Sequence, residues 1–276
     1  YQDDLVGDEV GIPLYFLGKS SKQNGIKVVQ VGEGADELFY GYDHWLRFMK
    51  LNRYIKPITK SSSINIQFKN HRTNMLSNIL SNRTSFAGGA LGFNLPEIDG
   101  LLVNGITNDF ELINYVDNKW DDYFSNKNSK LSKWMTLIDL QIRLPELLLM
   151  RMDKLVMQSS IEARVPFLDH KLIEYILTIP EKIIFDKKTT KPLLKHVANK
   201  HIPQKIYSRT KQGFRAPVGE WIKKDQEYFY DSIRSFNSST NLFKSKSLEK
   251  IISGRDYQKK WYLSNLAKWH LSRSIG

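Results

Sequence analysis

Apolar residues recur along this chain with changing period, and each change predicts an element. Ile12, Tyr15, Phe16 and Leu17, followed by Gly25, predict a short amphipathic helix over Ile12 to Lys22 with a glycine stop. Ile26 to Val31 reads as a buried strand that ends at Gly32-Glu33-Gly34, after which two carboxylates open another helix. A helix–strand–glycine loop–helix order is typical of α/β folds. From Lys60 to about Asn108 the chain is rich in Ser, Asn and Gly, including Gly88-Gly89, and predicts an irregular, variable segment.

Order returns at Ser132, an N-cap residue type, ahead of Trp134, Leu137, Ile138 and Ile142. Pro145-Glu146 suits the first turn of a new helix, with Leu148, Met152 and Leu155 on one face as far as Ser159. Asp169 is placed to cap Lys171 to Leu177, which Pro180 closes. Thr190 is placed to cap a helix through Ala198 with Pro192 in its first turn, and Tyr262, Leu266 and Trp269 form a last helical stripe that reads as core. The pattern predicts an α/β fold that is mostly helical in this chain. Its parts are the end of an α/β core over 1–59, a variable connection over 60–130 and a helical region over 131–276.

Composition narrows the class. Hydrophobic residues at 41% and aromatics at 12% argue for a folded globular protein of 276 residues. The longest apolar run, Leu147 to Met150, is far short of the ~20 residues that span a bilayer. No signal peptide is visible, and an opening on Tyr1 rather than Met is expected of a piece cut from a longer protein. The absence of cysteine excludes disulfides, thiolate metal sites and a Cys nucleophile, and makes the cytoplasm the default location. The formal charge of +12 is weighted toward the C-terminal half, where Lys187, Lys188, Lys191, Lys195, Lys200, Lys205, Arg209, Lys211 and Arg215 cluster. Such a field attracts polyanions, or is simply a lysine-rich solvated surface.

Three stretches carry candidate chemistry. Gly32-Glu33-Gly34-Ala35-Asp36-Glu37 lies at a strand end, where open α/β sheets bind ligands. It is not the dinucleotide fingerprint, because Glu37 stands at the third glycine position, and complementing a helix dipole would also account for its acids. Arg151-Met152-Asp153-Lys154 with Glu162-Ala163-Arg164 and Asp169 reads first as a partly buried ion-pair network. Arg209 to Pro217 offers cations in a loop broken by Gly213 and Pro217, where Arg209, Lys211 and Arg215 are equivalent on spacing alone.

In this order, the three stretches resemble the synthetase domain of the glutamine-hydrolysing asparagine synthetase family. Its loop, Gly-Glu/Asp-Gly-x-Asp-Glu-Leu-Phe-x-Gly-Tyr, matches Gly32 through Tyr42. Arg-x-Asp-Lys/Arg and Glu-x-Arg-x-Pro-Phe-Leu-Asp match Arg151 to Lys154 and Glu162 to Asp169, and Arg-x-Lys-x-Gly-Phe-x-x-Pro matches Arg209 to Pro217. The match runs from about Asp3 to Trp221 and is weakest over 60–108.

The resemblance implies the C-terminal part of an adenine-nucleotide α-hydrolase-like (N-type ATP pyrophosphatase) parallel-sheet fold, followed by a helical bundle. It implies that ATP adenylates a carboxylate, aspartate or a related acid, and that ammonia then gives the amide, AMP and pyrophosphate. By position, Asp36 would hold Mg2+ and pyrophosphate with Glu37 beside it, and Gly32 and Gly34 would let backbone approach the nucleotide. Glu33 would serve the acceptor amine or act as base, Lys211 would stabilise charge at the α-phosphate, and Asp139 would be a further active-site acid. A glutaminase domain, in a preceding region or on a separate chain, would supply ammonia. A homodimer is in keeping with the family; nucleic acid and membrane are not expected partners.

The departures matter equally. No Ser-Gly-Gly-x-Asp-Ser pyrophosphate loop precedes Gly32, and Ser253-Gly254-Arg255-Asp256 is at the wrong end to replace it. These 276 residues alone are therefore expected to be inactive. Asp8-Glu9 lies near where asparagine-making relatives place an acceptor-binding arginine, and Tyr40 replaces a common glycine. The alternatives are the same fold acting on a sugar acid or a cyclising β-amino acid, or a non-catalytic partner subunit without the pyrophosphate loop.

Overall fold

The computed structural model describes residues 5–55, 92–106, 111–186, 188–209 and 213–273. Helices dominate it, around a two-stranded parallel sheet. In that sheet β1 (Val28–Gln30) pairs with β2 (Glu162–Arg164), setting Val28 beside Glu162, Val29 beside Ala163 and Gln30 beside Arg164. The ladder extends at both ends: the Glu162 amide donates to the Lys27 carbonyl and the Val31 amide to the Arg164 carbonyl, each at 2.9 Å. Val29, Val31 and Ala163 face a core of Leu14, Met152, Leu155, Val156 and Ile161.

The strand stands where the sequence predicts it but is not buried. Ile26 and Val28 are 44% and 41% exposed, because among the described residues β1 has a neighbour on one edge and cover on one face. The preceding helix, Gly11–Gln23, likewise turns a different face inward. It buries Leu14 and Gly18 and leaves Phe16 and Leu17 exposed. A Cβ on Gly18 would lie 3.3 Å from Val156 Cα, so the missing side chain permits the close crossing with Met150–Met157. Apolar periodicity does not register that kind of contact.

A continuous helical rod supplies the frame of the site. It runs as α-helix over Leu131–Ile138, π-helix over Asp139–Leu149 and α-helix again over Met150–Met157. Two predicted boundaries are corrected here. Ser132 is inside the first segment and buried, with Lys130 in the N-cap position. Pro145 lies inside the π-helix rather than starting a new helix. Proline removes one amide donor and crowds the preceding turn, and the wider π winding accommodates both without ending the rod.

Trp134, Met135 and Ile138 of the rod are fully buried with Trp45, and Leu38 and Phe39 join the same cluster. At about 1.5–3 kcal/mol for each large side chain removed from water, this core anchors the helix Ala35–Phe39 beneath the glycine loop. The C-terminal helices Gln226–Thr240, Ser245–Ser253 and Tyr257–Arg273 close around Ile233, Phe236, Leu248, Leu263 and Ala267. The last helix buries Trp261, Leu263 and Ala267; the predicted stripe of Tyr262, Leu266 and Trp269 is only partly covered. Gly88-Gly89 lies outside the described residues, but part of the predicted irregular stretch is helical. Leu95–Leu101 is set by a capping box in which Asn94 and Glu97 each accept the other's amide. No helix among the described residues is long and apolar enough to cross a membrane.

Candidate active site

The chain leaves β1 at Gln30 and turns at Gly34, whose φ of 88° favours glycine. A Cβ there would also stand 2.3 Å from Leu168 Cδ2, so two constraints fix the residue. Ala35–Phe39 then makes barely more than one turn before Tyr40, at φ 56°, ends it in the left-handed region. Gly32 is exposed, and among the described residues no atom beyond its two chain neighbours comes within 4 Å of where its side chain would begin. Backbone at the head of the loop is thus open to approach.

The loop and the short helix set their acids at two levels. Glu33 and Asp36 are each 24% exposed, whereas the Glu37 side chain is 1% exposed. Each acid is held by a cation from far along the chain. Arg151, itself buried, donates to Asp8 and lies 3.9 Å from Glu33 Oε1. Lys191 Nζ is 3.0 Å from Asp36 Oδ1. Arg143 is 3.9 Å from Glu37 Oε1 and donates to Asp139 Oδ2 at 3.1 Å.

The lower level is a buried network. Tyr42 donates its hydroxyl to Glu37 Oε1 at 2.5 Å, its ring lies 4.7 Å from the Arg143 guanidinium carbon, and Thr136 donates to the Glu37 carbonyl at 3.0 Å. Burial and then the Glu37 charge push the Tyr42 hydroxyl far above the usual phenol range, so it is a permanent donor. Burial pulls the Arg143 pKa down, but Tyr42, Asp139 and Glu37 outweigh it, and the net direction is upward. The cation therefore persists at any working pH.

The Glu33 carboxyl is pushed up by burial; Arg151 opposes this, and Glu37 and Asp36 add to it. A carboxyl about a quarter exposed and held above its ordinary range is a better proton acceptor than an ordinary glutamate. Asp36 is a hard oxygen donor. Among the described residues no three His, Asp or Glu side chains converge on one point. One carboxylate without a protein cage fits Mg2+ that shares its coordination with phosphates, rather than a structural metal.

The structure therefore brings Gly32, Glu33, Gly34, Asp36 and Glu37 together, with Asp139 one layer beneath at 0% exposure. Lys211 lies outside the described residues. Asp8 and Glu9 are both engaged internally: Asp8 holds Arg151 and the Val10 amide, and Glu9 accepts from Gln258. The buried network expected at Glu162 and Arg164 is not there. Alternation along β2 puts both on the uncovered face, where they pair with each other at 2.8 Å. Asp169 is a helix cap, accepting from the Lys171 and Leu172 amides.

Arg143 and Lys191 were not singled out from sequence. Arg143 was legible as the i+4 partner of Asp139; Lys191 had no local signal. A cavity of about 1180 Å³ opens elsewhere, between Met49, Ser132, Glu181 and Phe185. It contains none of the loop's acids, so the candidate site rests on charge convergence rather than on concavity.

The family model described as asparagine synthase matches residues 1–271. Asparagine synthetase (glutamine-hydrolyzing) 1 of Bacillus subtilis is 27% identical over 239 residues, 84% of this chain and 37% of that protein. Asparagine synthetase (glutamine-hydrolyzing) 3 of the same organism is 29% identical over 127 residues, 42% of this chain and 19% of its own. Amidase chyE of Penicillium rubens is 22% identical over 249 residues, covering 76% and 35%. The chain thus spans a little over a third of the length of such relatives. No solved structure matches it significantly.

Proposed function

The chain belongs to the asparagine synthase family, and on that footing we propose that it is the synthetase portion of an ATP-dependent, amide-forming ligase. Its β1–β2 pair would be the end of an adenine-nucleotide α-hydrolase-like parallel sheet, with the glycine loop at the carboxyl end of β1. A carboxylate oxygen of the acceptor attacks the α-phosphorus of ATP, and the α–β phosphoanhydride bond breaks to release pyrophosphate. Ammonia from a glutaminase domain then attacks the acyl-adenylate carbon, AMP leaves, and a proton from nitrogen must be taken up. Asp36 would hold Mg2+ together with the phosphates, and the ion would supply charge neutralisation there.

The residues divide the work by depth. Glu33, partly exposed and held above its usual pKa, orients the acceptor amine or takes the proton. Asp36 holds the metal side, and Lys211 stabilises charge on the α-phosphate. Glu37 and Asp139 act from beneath, fixing the loop through Arg143. The observation that carries this reading is that Glu33 and Asp36, three residues apart, are each held by a cation from a distant part of the chain.

The test is pyrophosphate release by the full-length protein with ATP, ammonium and a panel of carboxylates. Turnover with an acceptor, lost in Asp36→Asn, supports the proposal; no release with any acceptor, or an unimpaired Asp36→Asn, sinks it. The panel should run beyond aspartate to sugar acids and β-amino acids. Asp8 and Glu9 set carboxylates at the place expected to read a second carboxylate, where Arg151 is already paired with Asp8, and amidase chyE shows that the family likeness extends to proteins not named for asparagine.

A further inference from the structure

Lys191 stands immediately before the helix Pro192–Ala198, at φ 53° and ψ 45°. The left-handed region is unfavourable for a residue with a long side chain. Tyr40, whose carbonyl accepts the Lys191 amide at 3.4 Å, is left-handed as well. Between them passes Gly41. A Cβ on Gly41 would stand 1.8 Å from Asp36 Oδ1 and 2.4 Å from Lys191 Cε, so only glycine lets the two groups meet. Two strained residues and one obligatory glycine thus converge on a single ion pair of 3.0 Å.

The pair is a poor return in stability for such strain. Both side chains are about a quarter exposed, 23% and 24%, and ion pairs open to water contribute little to folding. Strain of this kind gathers at functional sites, where position matters more than stability. A lysine ammonium is compact, carries three donors and is a frequent partner of phosphate. Neutralising Asp36 also opposes metal binding, because ammonium and divalent cation compete for the same oxygens.

We infer that Lys191 is a further binding residue of this site: its ammonium is the counter-charge of Asp36, and it passes to a phosphate oxygen when a divalent cation takes the carboxylate. This rests on the adenylation reading above, which assigns Asp36 to the metal and pyrophosphate but gives Lys191 no part. The exchange leaves the loop balanced in both states. In one, Lys191 covers Asp36; in the other, Mg2+ covers Asp36 and Lys191 covers the polyphosphate.

The test uses the full-length protein and two ligands, Mn2+ alone, followed by electron paramagnetic resonance, and magnesium pyrophosphate, followed by calorimetry. Lys191→Asn removes the charge with a residue that tolerates the left-handed conformation. It should bind Mn2+ on the order of 3- to 10-fold more tightly than the native protein. That gain should vanish on an Asp36→Asn background. The same variant should bind magnesium pyrophosphate at least about 10-fold more weakly, with Lys191→Arg restoring most of the loss.

Lys191→Gly, which accepts the conformation freely, is the second neutral variant should the first fail to fold. Unchanged or weaker Mn2+ binding in the neutral variant, or a gain that persists without Asp36, overturns the competition. Unchanged pyrophosphate affinity overturns the transfer to phosphate. A native protein that shows the Lys191-dependent Mn2+ effect but takes no ATP in any condition refutes the adenylation reading while leaving the ion-pair competition standing.

Discussion

Arg143→Met should destabilise the protein by about 3–5 kcal/mol, the cost of breaking a buried ion pair from one side. Arg143 is 16% exposed and serves two carboxylates that are almost wholly buried, Glu37 at 1% and Asp139 at 0%. At separations of 3.9 and 3.1 Å and an effective dielectric constant of about 20, each contact is worth about 4–5 kcal/mol before desolvation is subtracted. Methionine keeps the volume and removes the charge, so both acids stay buried without it. Tyr42 still donates to Glu37, which softens the loss on that side. Against a typical total stability of about 5–15 kcal/mol, the change is large enough to read from a urea midpoint. Arg143→Met/Asp139→Asn should recover at least half of the loss, because one buried charge is neutralised in place. A single variant within about 1 kcal/mol of the native protein, or a double variant no better than the single, would refute the account of this layer as an electrostatic brace.

Three further outcomes follow from the geometry. Gly34→Ala should cost about 2–4 kcal/mol from its φ of 88° and its overlap with Leu168, whereas Gly25→Ala, at φ 71° with nothing within 4 Å, should cost about 1; equal costs in urea unfolding would count against the loop packing. Glu33 is held above its ordinary pKa, so the stability linked to it is complete below the unfolded carboxyl value and is lost as pH rises through the folded one. Glu33→Gln should accordingly melt higher than the native protein at pH 7 and no higher at pH 3.5; a variant less stable at pH 7 would contradict the burial argument. Asn94→Ala should remove about 1 kcal/mol by opening the capping box, measured by thermal unfolding, and no change would mean that the Lys259–Glu97 contact alone holds that end.

What the sequence made legible was whatever a residue type determines by itself. Asp169 announces a cap because few other residues do that job, and it caps where expected; Gly34 marks the end of the strand, and the structure adds that its turn is left-handed. The acids of the loop were visible for the same reason. Their partners were not, since an arginine or lysine far along the chain carries no local mark of what it will face. On sequence Lys191 is one cation among many and Thr190 is the expected cap, whereas Lys191 occupies the cap position. The π-helix was hidden because its apolar residues read equally well as two α-helices parted at Pro145. Asn94-x-x-Glu97 was a readable capping signature lost inside a stretch dominated by Ser, Asn and Gly. Burial of the strand failed for a different reason, because it depends on neighbours that local periodicity does not specify.

The long-range pairing of the loop also has a consequence in time. Asp8, Glu33, Asp36 and Glu37 are all synthesised before any of the cations that hold them. Roughly a hundred residues separate Glu37 from Arg143, which at ribosomal rates of about 5–20 residues per second is a delay of about 5–20 s. Through that interval the loop's carboxylates lack the arginines and the lysine that pair with them in the folded protein. The partners become available in the order of translation, Arg143 first, Arg151 next, and Lys191 only after the residues of β2.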